Sequence, residues 1–159
     1  MKEIAVYPGT FDPITNGHVD VVRRAARIFS QVIVAVAHNV DKTPLFTAAE
    51  RVALARASLR GFPNVLVEEF VGLLADYARQ RRAHVVIRGL RAVSDFEFEL
   101  QMASINRRLN PALETIFLMP QDEYMFISSR TVKEIAALGG SVRGFVPPVV
   151  ERALRKKLG

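Results

Sequence analysis

Ile4-Ala-Val-Tyr7, running into Pro8-Gly-Thr-Phe-Asp-Pro-Ile-Thr-Asn-Gly-His18, is the stretch on which the reading of this chain turns. Residues 4–7 are a short apolar run that fits a buried strand, and Pro8 and Gly9 are expected to end it. From Val19 the apolar residues Val22, Ala26 and Phe29 recur at the spacing of one helix face. The pattern is therefore strand, Gly/Pro loop, helix. Thr15 or Asn16 can cap the helix, and Gly17 lets another molecule approach its first turn. Such a helix start carries unpaired N–H groups and partial positive charge, so it attracts phosphate. His18 stands in that first turn, where a cation is disfavoured unless an anion is also present.

The same alternation continues outward. Residues 31–37 (QVIVAVA) read as a buried strand, and Thr47-Ala-Ala-Glu50 is a capping box opening a helix to about residue 59. Residues 64–70 read as a strand, 73–82 as a helix and 84–88 as a strand. Ser94-Asp-Phe-Glu97 is a second capping box, starting a helix to about residue 109. A fifth strand is expected over 114–119. Ser128 or Ser129 caps a helix that ends at Gly139-Gly140, and a last helix follows Pro147-Pro148. Strands alternating with helices predict an α/β fold, a Rossmann-like doubly wound five-stranded parallel sheet with helices on both faces. A length of 159 residues suits one domain spanning 1–159.

Composition narrows the function classes. Half of the residues are hydrophobic, which excludes disorder, and the chain has no cysteine, which excludes disulfides, thiolate catalysis and cysteine zinc sites. The N-terminus lacks a signal-peptide core and no apolar run is of spanning length, so no membrane partner and a cytoplasmic location are expected. The net charge of +6 raises the possibility of nucleic-acid binding. However, the basic clusters at 79–82 and 155–157 fall late in predicted helices, where cations suit the dipole. They read as solvated helix ends, and no nucleic-acid partner is expected.

In open α/β sheets ligands bind beyond the carboxyl ends of the strands. Those positions carry Gly9, Thr10 and the Thr15–His18 turn, then His38, Asn39, Asp41 and Lys42, then Gly72-Leu73-Leu74. Arg88-Gly-Leu-Arg91 follows the fourth strand, and Ile127-Ser-Ser-Arg130 follows the fifth. An arginine ending a buried strand must find an anionic partner or reach water. Together these residues point to a ligand with several phosphates. The chain has no GxxxxGK[ST] motif for a P-loop, no GxGxxG in the first turn and no GxSxG elbow. His18, His38 and His84 lack metal-ligand spacing. No carboxylate cluster suggests a metal cage, so no protein-bound metal is expected.

The Thr15–His18 TxGH motif after GTFDP, together with ISSRTVK (Ile127–Lys133), resembles the nucleotidyltransferase superfamily. YPGTFDPITNGH, KTPLF from Lys42, ERV from Glu50, IRGLRAVSDFEFE and FLMP closely resemble the bacterial phosphopantetheine adenylyltransferase family over essentially the whole chain. The resemblance implies transfer of AMP from MgATP to 4′-phosphopantetheine, giving dephospho-CoA and pyrophosphate in coenzyme A biosynthesis without a covalent intermediate. It implies Mg²⁺ brought in with ATP, a homohexamer, and these roles. His18 stabilises the transition state and touches the ATP phosphates. Thr10 contacts both substrates, with Phe11 beside it. Lys42 and Arg88 hold the pantetheine phosphate and Leu74 lines its arm. Gly89, Leu90, Arg91, Glu99 and the segment Tyr124, Met125, Phe126, Ile127, Ser128, Ser129 and Arg130 bind ATP. Tyr124 stands where tryptophan is common in the family, and Arg130 where serine is common.

Three other readings stand beside this one. A sister transferase acting on nicotinamide mononucleotide or glycerol phosphate would keep TxGH but lack the RGLR and DFEFE context. A nucleic-acid-binding module would use the charge without catalysis, and a nucleotide sensor would bind ATP without turnover. On the helix over 95–109, Phe96, Leu100 and Ala103 share one side, and Phe98, Met102, Ile105 and Leu109 lie nearly opposite. One sheet can bury one stripe, so the other is expected to meet a neighbouring subunit.

Overall fold

The computed structural model describes residues 2–38, 43–91 and 96–159. Five strands, β1 (Ile4–Gly9), β2 (Gln31–Ala37), β3 (Val65–Phe70), β4 (Val85–Gly89) and β5 (Glu114–Leu118), form one parallel sheet in the order β3-β2-β1-β4-β5. The helices between and after them are α1 (Asn16–Ile28), α2 (Ala48–Ser58), α3 (Leu74–Gln80), α4 (Phe96–Leu109), α5 (Ser129–Ala137) and α6 (Pro148–Leu158), with a 3₁₀ turn at Asp122–Tyr124. The expected element order and the doubly wound parallel sheet are both present. Among the described residues no helix is long and apolar enough to cross a membrane.

Alternation along the strands divides the core. Ala5, Tyr7, Val32, Val34 and Ile87 face one side, where Val21, Val22 and Ala25 of α1, Val52 and Ala55 of α2, Val132 of α5 and Leu154 of α6 cover them. Val6, Ile33, Ala35 and Val86 face the other side, against Tyr77 and Ala78 of α3 and Leu113. The helix α4 packs on α3 and β5.

Two sequence expectations change. The first strand continues through Pro8 to Gly9, with Pro8 opposite Ala35 and Gly9 opposite Val36 on β2. Toward β4, however, pairing is confined to Ala5 with Val85 and Val6 with Val86. The missing N–H of Pro8 therefore leaves no ladder bond unmade, because β1 and β4 have already parted. Sequence order reverses at this β1/β4 boundary, which is where a doubly wound sheet opens a crevice.

The second change concerns α4. Neither apolar stripe is taken up by the sheet: Phe96, Phe98, Leu100, Met102, Ile105 and Leu109 are all exposed, and the buried residues are Glu99 and Asn106. The side chains that α4 buries are polar, and Phe98, Met102 and Ala103 line a cavity beside them. Ser94 and Asp95 of the expected second capping box lie outside the described residues.

Candidate active site

The loop after β1 is shaped from beneath. Phe11 has φ of 49°, a left-handed conformation that is an outlier for a bulky residue. Its buried ring stacks edge-on to His18 with centroids 4.9 Å apart. A Cβ on Gly9 would lie 3.0 Å from that ring, so any larger residue there would press the ring aside. Asp12, also buried, accepts from Leu45 N and Phe46 N, each at 2.9 Å, and from Lys133 Nζ at 2.9 Å. Arg51 on α2 is buried without a carboxylate partner among the described residues. Its guanidinium donates to the carbonyls of Thr10 and Ala37 at 2.9 Å and Phe46 at 3.2 Å, pinning the ends of β1 and β2.

Thr15, rather than Asn16, is the N-cap of α1. Its Oγ1 accepts from His18 N at 3.3 Å, and its own N–H donates to His18 Nδ1 at 2.9 Å. Histidine thus fills the place that Glu or Gln takes in the usual capping box. This geometry chooses a tautomer: Nδ1 accepts, so the neutral ring carries its proton on Nε2. Burial, then Arg91 and Arg88, lower the His18 pKa to about 3. A neutral ring removes the conflict between His18 and the helix dipole that the sequence raised. Gly17, read from sequence as room for a ligand, faces Tyr124 of its own chain, whose Cβ lies 3.6 Å from where a Gly17 Cβ would be.

Asn16 N donates to Phe145 O at 2.8 Å, whereas Gly17 N–H has no partner among the described residues. At α5, Ser128 caps Thr131 N at 3.0 Å, and the Ser129 and Arg130 N–H groups likewise have no partner among the described residues. Two helix starts therefore present free donors to one space. Ser129 Oγ donates to Pro13 O at 2.8 Å and so ties α5 to the first loop.

Across the crevice, Arg88 donates through Nε and Nη2 to both oxygens of Glu99, at 2.8 and 2.7 Å, and through Nη1 to Pro8 O at 2.9 Å. The side chain bridges the gap left where β1 and β4 part. Arg91 donates to Ile127 O at 3.2 Å. Asp20 on α1 is buried and accepts from Gln121 N at 3.0 Å, from Arg24 Nε at 3.2 Å and from Arg23. It thereby holds the segment that leads to Tyr124.

Two cavities open over this scaffold. The first, about 330 Å³, is lined by Thr10, Phe11, His18, Arg88, Gly89, Arg91, Glu99, Tyr124, Ile127, Ser128, Ser129 and Arg130 among others. The second, about 270 Å³, is lined by Leu74, Phe70, Phe98, Met102, Ala103 and Asn106 among others. They share the wall Pro8-Gly9-Thr10, Arg88 and Glu99. Most sequence-predicted residues are thus brought together. Leu90, Met125 and Phe126 are not on either wall; Leu90 N is bonded to Leu118 O and Phe126 is exposed. Lys42 lies outside the described residues.

The sequence reading missed Tyr7 and Pro120 on the first wall, and Phe70, Phe98 and Asn106 on the second. Period-two alternation puts Tyr7 at the exit of the central strand and could have flagged it. His38 and His84, which lack metal-ligand spacing, pair with Glu69 and Glu3. Among the described residues no group of three or more His, Cys, Asp or Glu could hold a metal.

Residues 6–135 match the cytidylyltransferase-like family. The chain is similar to proteins named phosphopantetheine adenylyltransferase. That of Cupriavidus necator is 58% identical, covering 98% of this chain and 97% of the relative. That of Aromatoleum aromaticum is 58% identical, covering 99% and 98%. That of Thermodesulfovibrio yellowstonii is 56% identical, covering 99% and 98%. A solved structure from Vibrio parahaemolyticus, assigned to the nicotinate-nucleotide adenylyltransferases, superposes with TM-score 0.73 at 18% identity, over 99% of this chain and 95% of the other, and shares the fold. By its match over most of its length and its identity to full-length relatives, the chain belongs to the cytidylyltransferase-like family and, within it, to the phosphopantetheine adenylyltransferases.

Proposed function

We propose that this protein transfers the adenylyl group of MgATP to the phosphate of 4′-phosphopantetheine, forming dephospho-CoA and pyrophosphate in coenzyme A biosynthesis. The observation that carries the reading is a pair of unlike cavities meeting over Thr10, Arg88 and Glu99. The polar one, with two helix starts and Arg91, suits a triphosphate. The other, with Phe70, Leu74, Phe98 and Met102, suits an amide-linked aliphatic arm. A phosphate oxygen of the acceptor attacks the α-phosphorus at the junction. The new P–O bond forms as the bond to the bridging oxygen breaks, and pyrophosphate leaves with that electron pair. Catalysis is then positioning and charge stabilisation.

In this scheme neutral His18 donates from Nε2–H to the α-phosphate oxygens as charge develops, joined by the Gly17, Ser129 and Arg130 N–H groups. Arg88, oriented by Glu99 and the Pro8 carbonyl, holds the acceptor phosphate together with Lys42. Thr10 touches both substrates, with Phe11 setting its loop, and Leu74 lines the arm. Gly89, Arg91, Glu99, Tyr124 and residues 127–130 hold the nucleotide. Mg²⁺ enters as part of the substrate, carried by the triphosphate and water. The chain acts in the cytoplasm as a homohexamer, a reading supported by the uncovered apolar side chains of α4.

The deciding experiment is pyrophosphate release with MgATP and alternative acceptors. Release with 4′-phosphopantetheine and not with nicotinamide mononucleotide is expected, and the opposite preference overturns the assignment.

A further inference from the structure

Tyr7 has no part in the scheme above, yet it lies in the buried run of the central strand with 5% of its surface exposed. Its ring meets Phe11 edge-on at 5.3 Å and lies 6.3 Å from the His18 ring. Phenylalanine would make both contacts, so the fold does not call on the hydroxyl. Among the described residues that hydroxyl has no hydrogen-bond partner. It is not sealed in either, because it opens on the first cavity. A buried phenol oxygen usually finds a partner. Gly89 leaves it uncovered, since a Cβ there would begin 3.7 Å from the oxygen.

The surroundings define what the partner would be. Burial raises the Tyr7 pKa above the ordinary tyrosine value, against the pull of Arg88 and Arg91 and with a smaller push from Glu99. The phenol therefore keeps its proton and is a donor at neutral pH. Arg88, Arg91 and the His18 ring stand around the same space. A neutral donor among cationic and N–H donors awaits an anionic oxygen. Tyr7 lines the first cavity and not the second, which separates it from the acceptor arm.

We propose that Tyr7 is a further nucleotide-binding residue, its hydroxyl donating a hydrogen bond to a phosphate oxygen of ATP beside His18. This rests on the adenylyl-transfer reading for the identity of the ligand, and Tyr7→Phe tests it. One hydrogen bond to a charged oxygen corresponds to a roughly 10- to 100-fold weaker Kd for MgATP by calorimetry, with kcat/KM for ATP falling alongside. Adenosine, which lacks the phosphates, should bind both proteins alike, and the melting temperature should be unchanged or higher. Equal MgATP affinity overturns the proposal. So does an equal loss for adenosine, which would put the contact on the nucleoside. A lowered melting temperature also overturns it, because the hydroxyl would then serve the fold. Failure of the wild-type protein to release pyrophosphate with 4′-phosphopantetheine would sink the broader reading instead, while MgATP binding would still judge Tyr7.

Discussion

Helices α1 and α4 stand on the two sides of one crevice. The first buries Asp20, Val21, Val22 and Ala25 and is capped by its own Thr15 and His18. The second buries Glu99 and Asn106 and leaves six large apolar side chains in the open. Both helices present a buried carboxylate. Asp20 binds a backbone N–H and two arginines of its own helix, so it fastens one piece of the chain to another. Glu99 binds the arginine at the mouth of the sheet. The contrast teaches that α1 is finished by intrachain packing, whereas α4 is anchored through Arg88 and keeps its large apolar side chains uncovered within the chain.

The sharpest way to break this comparison is at His18, which both caps α1 and faces the cavity. Glutamine is a normal partner in a capping box, so His18→Gln should fold with wild-type stability. Its kcat should fall by roughly 10²–10³-fold, with a smaller change in KM for ATP. A variant that turns over normally would leave His18 a cap and nothing more. ¹⁵N spectra of the wild-type ring at pH 5.5 should still show the neutral Nε2–H tautomer, and a protonated ring would contradict the geometry described above.

The next effect lies on α4. Replacing Leu100 and Ile105 together by aspartate should leave the monomer fold intact by circular dichroism and reduce the sedimenting mass from a hexamer to smaller species. Wild-type protein that sediments as a monomer at micromolar concentration would mean that the exposed face has no second copy to meet.

Glu99→Gln should cost about 1.5–3 kcal/mol in urea unfolding, because it removes the carboxylate charge that two Arg88 N–H groups donate to. Hydrogen exchange should quicken over α4 and not over α1. Equal loosening of both helices would erase the distinction drawn between them.

The smallest effect is expected at Asp20, where Asp20→Asn should cost about 1–2 kcal/mol near pH 7. Burial alone would raise the Asp20 pKa, but the Arg23 hydrogen bond, the Gln121 N–H and the charges of Arg24 and Arg23 outweigh it and the value is lowered. A depressed carboxylate contributes its stability above the unfolded value of about 3.9 and loses it as pH falls through the folded one. The difference between wild type and variant should therefore shrink below about pH 4.

Much of this was legible because it is local. The Thr47–Glu50 capping box, the alternation in β2 and the Thr15 cap each depend on residues within a turn or a strand. The convergence of Thr10, His18, Arg88, Arg91 and Ser128 followed from one rule about strand ends. The rest depends on partners far apart in the chain. Nothing near Arg51 says that it will bond Thr10 and Ala37, and nothing near Asp20 names Gln121. The continuation of β1 through Pro8 depends on β4 having already turned away. On α4 the apolar spacing was read correctly, but its interpretation assumed a helix that must lean on its own sheet.

The first loop has a consequence for how the protein comes into being on the ribosome. Asp12 is met by Leu45 and Phe46 and then by Lys133, Pro13 by Ser129, and Asn16 by Gly144 and Phe145. The residues that open the first cavity are therefore among the earliest to be synthesised, and Ser129, Lys133, Gly144 and Phe145, which also lock them, arrive after four-fifths of the chain has been made. A nascent chain can begin its central strand early, but the first cavity is unfinished until the last fifth has emerged and docked. Translation thus completes the working cavity of this enzyme late, and fragments released early would lack it.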